Sequence, residues 1–369
     1  MQDIQRVLER EVKAGKTPSV QYYLFTKDAI LEEFRYGFAD VEKQTSITAD
    51  HSYTAYSVTK TFTALAILQL AEKKQLDLCD CVVDHLPDFP YGHLVTIRHL
   101  LNHTAGIPNP IPLSWIHLSH EHRSFNAAAF FKHIISKNKK PKAKPGERFA
   151  YSNLGYIFLG QIIEKVTGKR YEDYVNEFII DKLPADSSDL GFETTVISKQ
   201  ARGYHKRFSF TNLILGLFLD KRKYMDKAVG NWKPFKSFYV NGAAYGGLIG
   251  KPSAFVKYIQ VLLKCNCQLI SSPYNKLLFQ EYKLNNGHKT GMCISWFKGE
   301  LNGRTYFAHA GGGGGYYCEI RIYPEHNIGS VVFFNRTGMT DERFLDKTDA
   351  LYFSRSVLSE DTSNLVYSL

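Results

Sequence analysis

"YSVTKTFTALAILQLAEKK", residues 56–74, is the stretch on which the fold and the chemistry turn. From Val58 to Ala71 the residues are apolar or small in every direction, except for threonine hydroxyls, Gln69 and Lys60. A helix apolar all round is a buried helix. Ser57 stands where an N-cap or first-turn residue would stand. Lys60, three residues on, shares its face one turn away. The helix thus has one charge inside it, beside a hydroxyl. Burial disfavours the ammonium form and lowers a lysine pKa. A lysine so lowered can take the proton of serine, otherwise a weak nucleophile. The N-terminus of the helix adds backbone N–H groups near a reacting carbonyl. The plainer reading is a cap serine beside a lysine that snorkels to water, and the stretch alone does not separate the two.

The rest of the chain sets bounds. It has 369 residues, enough for one large domain or two, with 44% hydrophobic and 22% charged residues, ordinary for a globular protein. The net charge of +10 permits an acidic partner. No helix-turn-helix, finger or aromatic RNA-binding pattern accompanies it, so no nucleic-acid partner is expected. The basic clusters at 137–148 and 221–227 read as solvated loops. The six cysteines lack zinc spacing and read as free thiols of a reducing compartment. The N-terminus has no apolar core of a signal peptide, and no run reaches the roughly 20 apolar residues of a membrane span. A cytoplasmic location is expected.

Along the chain, residues 3–14 read as a helix, and "VQYYLFT" (20–26) with "ILEEFRYGFAD" (30–40) as a β-hairpin. Helix and loop dominate from there to about 240, followed by a helix at 251–265. "GMCISWFKGELNGRTYFAHA" (291–310) reads as two strands around the Asn302-Gly303 turn, and "YYCEIRIYPEHNIGSVVFFNR" (316–336) as two more. The expected fold is therefore α+β: an antiparallel sheet built from both termini, flanked by helices, with an inserted, mostly helical lobe. The sheet lobe takes about 1–56 and 241–350, the helical lobe about 57–240, and 351–369 is a tail.

Three motifs in order carry a resemblance: "SVTK" (57–60), "YSN" (151–153) and "HAG" (309–311), with matching flanks "LLNHTAGIP" (100–108), "PGERFAYSNLGYIFLG" (145–160) and "AYGGLIGKPSAFVKYIQVLL" (244–263). With them the chain resembles the serine β-lactamase and penicillin-binding-protein superfamily. It is most similar to the class C-like branch of D,D-peptidases, D-aminopeptidases and esterases. The resemblance implies that Ser57 attacks a carbonyl and forms an acyl-enzyme. Lys60 and Tyr151 would share general-base work. Asn153, His309 and Gly311 would contact substrate, and the N–H groups of Ser57 and Gly312 would form an oxyanion hole. No cofactor or metal is implied.

Two stretches compete for the third motif, a literal "KTG" (Lys289-Thr290-Gly291) and "HAG" (His309-Ala310-Gly311). Only the second runs on through small residues and aromatics into a strand and hairpin, so it is taken as the element. An imidazole then replaces the lysine with which β-lactamases of this kind hold a carboxylate. Protonated His309, with an ordinary pKa near 6.5, would bind an anion in a pH-dependent way. The expected activity is hydrolysis of an ester or amide, more a D-amino-acid peptide or carboxylic ester than a β-lactam. A true β-lactamase or D,D-carboxypeptidase and a catalytically silent scaffold stand as alternatives.

Three other signals are weighed. His103 reads as scaffold. His117, His120 and His122 have metal-like spacing without a completing carboxylate or cysteine. The run Leu213–Leu219, ended by basic residues, reads first as a segment packed on the helical lobe and second as a weak membrane-surface contact through 211–225. The partner expected is a small-molecule, short-peptide or ester substrate.

Overall fold

The computed structural model describes residues 2–193, 199–337 and 343–354. Helix α1 (Gln2–Lys13) leads into strands β1 (Ser19–Thr26), β2 (Ile30–Asp40) and β3 (Thr45–Ser46). A 3₁₀ turn, Tyr56–Val58, opens helix α2 (Thr59–Glu72). Helices α3 (Asn153–Thr167), α4 (Phe210–Phe218) and α5 (Pro252–Leu263) follow, then strands β4 (Phe297–Leu301), β5 (Arg304–Gly313), β6 (Tyr316–Tyr323) and β7 (Ile328–Phe334).

The seven strands form one sheet in the order β4-β5-β6-β7-β1-β2-β3, antiparallel throughout. The two termini meet at its centre, where Val20 of β1 faces Phe334 of β7. Both faces are covered, and successive residues enter different cores. Tyr22, Leu24, Val332 and Phe334 pack with Ile4 and Leu8 of α1. Tyr23, Phe25, Val331 and Phe333 pack with α2 and α5. A strand buried on both faces needs an apolar run rather than an alternation, which is why β7 reads IGSVVFF. The β4–β5 hairpin closes at Asn302 (φ 51°) and Gly303 (φ 75°), the left-handed pair the Asn-Gly signal calls for.

The middle of the chain is less uniformly helical than expected. Ile116–Leu118 pairs with Phe238–Val240, and Tyr204–Lys206 with Trp232–Pro234. Residues 345–354 are helical, so the expected boundary at 350 falls inside an element, and Phe353 packs on Tyr323. Residues 355–369 of the expected tail lie outside the described ones.

Helix α2 is buried from Thr59 to Ala71. Its polar groups are answered locally. Thr61 donates to the Val58 carbonyl, Thr63 to that of Ala244, and Gln69 to those of Phe178 and Leu269. Such pairing is what allows hydroxyls and an amide into a core.

Candidate active site

Ser57 is not the cap of α2. It sits in the 3₁₀ turn before the helix, and the N-cap position belongs to Val58, which makes no side-chain cap bond. The Ser57 hydroxyl is left for other partners. Its Oγ lies 3.0 Å from Lys60 Nζ and 2.9 Å from the Tyr151 hydroxyl. Lys60 also donates to the Tyr245 carbonyl at 2.8 Å. Three rings, those of Tyr151, Tyr156 and Tyr245, stand 5.0–5.5 Å from its nitrogen. Lys60 is fully buried, and among the described residues no carboxylate pairs with it. Burial alone pushes its pKa well below the ordinary lysine value. A lysine snorkelling to water is therefore excluded. Burial drives the Tyr151 phenol the other way, well above 10, so it is held as a neutral hydroxyl.

The YSN segment is fixed from behind. Ser152 caps α3, accepting from the Gly155 N–H at 3.3 Å and donating to the Pro108 carbonyl at 2.9 Å. The Asn153 N–H donates to Asn109 Oδ1, while the buried Asn153 Oδ1 has no partner. His103 Nδ1 accepts from the Ser152 N–H, and its ring lies 4.2 Å from that of Tyr151. The scaffold reading of His103 thus takes a specific form: it positions the loop that carries Tyr151. The "LLNHTAGIP" flank was its signal in the sequence.

Strand β5 forms the opposite wall. His309 is buried, and its Nδ1 faces the Ala310 carbonyl at 2.8 Å. A carbonyl only accepts, so Nδ1 carries the proton and the unpartnered Nε2 is a bare acceptor. Burial, with Lys60 nearby, pushes the imidazole pKa down to about 3. The expected imidazolium that binds anions around pH 6.5 is therefore not present; His309 is neutral. The rival "KTG" lies in an irregular segment ahead of β4, with Lys289 exposed.

Five glycines, Gly311 to Gly315, end this strand and run past it. A Cβ on Gly311 would lie 2.1 Å from the Ala55 carbonyl oxygen, and one on Gly313 2.1 Å from the Tyr56 ring. Tyr56 itself has φ 45°, a left-handed conformation unusual for a bulky residue, and its hydroxyl donates to the Gly314 carbonyl. The side-chain-free edge of β5 thus fits against the strained turn that carries Ser57. Tyr56 and Tyr245 were not singled out in the sequence, where nothing marks a tyrosine as left-handed or its carbonyl as a lysine partner.

Outside the site, His117 Nε2 lies 2.8 Å from His122 Nδ1, and His122 Nε2 3.4 Å from Glu193. Among the described residues no three metal-binding side chains converge, and no helix is long and apolar enough to cross a membrane. All six cysteines are unpaired. A cavity of about 550 Å³ lined by Ala71, Leu78 and Arg98 has no serine or cysteine in its lining.

A serine held by a buried lysine and a tyrosine, beside the edge of an antiparallel sheet, defines a class, the active-site serine hydrolases. A Beta-lactamase family model matches residues 4–353, and the chain belongs to that family. It is 27% identical to Penicillin-binding protein 4* of Bacillus subtilis (strain 168) over 85% of this chain and 67% of that protein. It is 33% identical to Protein flp of Staphylococcus aureus (strain NCTC 8325 / PS 47) over 47% of this chain and 35% of that protein. It thus spans about two thirds of the first relative and a third of the second. In fold it is similar to D-amino acid amidase from Ochrobactrum anthropi SV3 complexed with D-Phenylalanine, with a TM-score of 0.77 at 21% identity, covering 98% of this chain and 99% of that one.

Proposed function

We propose that the chain cleaves an ester or amide through an acyl-enzyme on Ser57, with a carboxylic ester or a D-amino-acid amide or peptide as substrate. The observation that carries the reading is the convergence of Lys60 Nζ and the Tyr151 hydroxyl on Ser57 Oγ, with the amine buried and without a carboxylate partner among the described residues. The uncharged amine takes the Ser57 proton as Oγ bonds to the carbonyl carbon. Tyr151, too basic as an anion to start the reaction, hands its proton to the leaving group and recovers one from Lys60. Water then attacks the acyl carbon, with the proton transfers reversed. The N–H groups of Ser57 and Gly312 are assigned to the oxyanion. Gly311 abuts Ala55 and Gly313 abuts Tyr56, which supports placing Gly312 alongside the serine turn. Asn153 Oδ1 and His309 Nε2, both unpartnered acceptors, are assigned to donor groups on the substrate.

A neutral imidazole cannot hold a carboxylate as a lysine would, which weighs against efficient β-lactam hydrolysis. A fluorophosphonate probe should label the wild type and fail to label Ser57→Ala. Labelling that survives in Ser57→Ala would end the assignment. With the mechanism fixed, turnover of D-phenylalanine amide, a short carboxylic ester and a chromogenic cephalosporin ranks the substrates.

A further inference from the structure

The run expected to pack on the helical lobe does so along one edge only. Leu215 and Leu219 are buried. Phe208, Phe210, Leu213 and Leu217 are 70–80% exposed, and Phe218 42%. Phe210, Leu213 and Leu217 follow one another at i, i+3 and i+7 and form a single stripe along α4. Scattered exposed apolar residues need no explanation, but a contiguous stripe of this kind marks a contact surface.

Charge says what covers it. Residues 204–236 hold eight Lys and Arg against two Asp. Both acids are engaged: Asp220 caps Lys221–Tyr224, and Asp226 pairs with Arg202. Lys223 pairs with Glu121, whereas the exposed Arg207, Arg222 and Lys227 enter no ion pair among the described residues. The Arg207 guanidinium lies 4.8 Å from the Phe208 ring centre, so cation and apolar group share one surface. Apolar side chains rimmed by cations complement an interface whose outer layer is anionic and whose interior is hydrocarbon.

We propose that this face of α4 seats the protein on an anionic lipid bilayer. The helix is linked to the proposed site through one turn. Helix α4 packs against the Pro112–Ser114 turn, a few residues beyond Asn109, which holds Asn153. Phe235, in the same basic segment, packs on Gly314, just after β5. The proposal does not depend on the role of Ser57.

The test is flotation of the full chain with vesicles of phosphatidylcholine alone and of phosphatidylcholine with phosphatidylserine. Wild type and Ser57→Ala should both float with the anionic vesicles and with few of the neutral ones. Leu213→Ser with Leu217→Ser should weaken that binding by about a hundredfold, roughly tenfold per leucine withdrawn from the interface. Arg222→Ala with Lys227→Ala should weaken it by about tenfold or more, and added salt should act in the same direction. Both positions are exposed, so thermal unfolding of the variants should match wild type. Absence of wild-type binding to anionic vesicles overturns the proposal, as does equal binding by the leucine variant. Concentration-dependent self-association that Leu217→Ser abolishes, without vesicle binding, also overturns it and assigns the stripe to a second copy of this chain. Each of these failures leaves fluorophosphonate labelling at Ser57 untouched.

Discussion

Gly312 and Gly313 are chemically identical neighbours, and alanine should have opposite consequences at the two. At Gly312 the nearest atom to an added Cβ is 3.7 Å away, ordinary contact. At Gly313 three ring carbons of Tyr56 would lie at 2.1, 2.3 and 2.7 Å. Carbon contacts settle near 3.5–4.0 Å, so the ring or the strand must move by more than about 1 Å. The ring has little room, since its hydroxyl is tied to the Gly314 carbonyl and its backbone is held at φ 45°. Ser57 is the next residue. Overpacking of this kind costs about 1–3 kcal/mol of stability. Displacing a reacting group by about 1 Å costs about a hundredfold in rate, equal to about 2.7 kcal/mol on the barrier.

The assay is the second-order rate of fluorophosphonate labelling, paired with urea unfolding of the same samples. Gly312→Ala retains its N–H and should label within a few-fold of wild type. Gly313→Ala should label about a hundredfold more slowly while still folded. Removing the obstructing ring should restore part of the rate, so Tyr56→Gly with Gly313→Ala should react faster than Gly313→Ala alone. Equal rates for the two single alanine variants, or no interaction in the double-mutant cycle, would refute the claim that the glycine edge of β5 sets the serine turn.

Other consequences can be checked alongside. Lys60→Met keeps the volume and removes the base, and should lower turnover by roughly 10²–10⁴. Burial holds the Lys60 pKa in the fold well below the value of about 10.4 in the unfolded chain, so between the two the unfolded chain binds a proton that the native amine lacks; wild-type stability therefore carries a term that rises with pH across that window. Urea unfolding should show Lys60→Met gaining more over wild type as pH falls from about 10 into that window. Arg321, fully buried between Glu319 at 2.6 Å and Asp349 at 3.5 Å, leaves two buried carboxylates unpaired when changed to Met, a loss of about 3–5 kcal/mol in the same measurement. Lys289→Ala, at an exposed position, should change kcat/KM less than about twofold, and the wild-type pH–rate profile should show no inflection near 6.5 from His309, whose pKa lies at about 3.

What could be read from the sequence follows the range of each signal. The hairpins were legible because strand period and turn residue are local; Asn302 and Gly303 adopt the left-handed angles their pairing implies. The burial of α2 was legible because its whole circumference is apolar or small. Whether the Lys60 amine stayed inside or snorkelled out depended on the rings of Tyr151, Tyr156 and Tyr245 around it, all distant in the chain. The run at 213–219 misled for the matching reason. An apolar segment shows what it would gain by being covered, but not whether the fold supplies a cover, and here only Leu215 and Leu219 receive one. The pKa of His309 was likewise out of reach, because it depends on burial and on Lys60, nearly 250 residues away in the chain.

The glycine run falls between these cases. A glycine run signals a backbone approached by something bulky, and the resemblance implied substrate as the neighbour of Gly311. The structure supplies the protein's own turn at Tyr56 and Ser57. Tyr56 is in a conformation that costs about 1–3 kcal/mol for a side-chain-bearing residue. The compensation comes from β5: the Tyr56 ring lies over Gly313, the hydroxyl reaches Gly314, and the Ala55 carbonyl occupies the space beside Gly311 and accepts from the Cys318 thiol. A strained turn and a side-chain-free strand are each unfavourable alone, and they become favourable as a pair. Such a pair fixes Ser57 relative to the sheet edge before any substrate arrives, so in the proposed mechanism the geometry of attack is set by the fold rather than by binding.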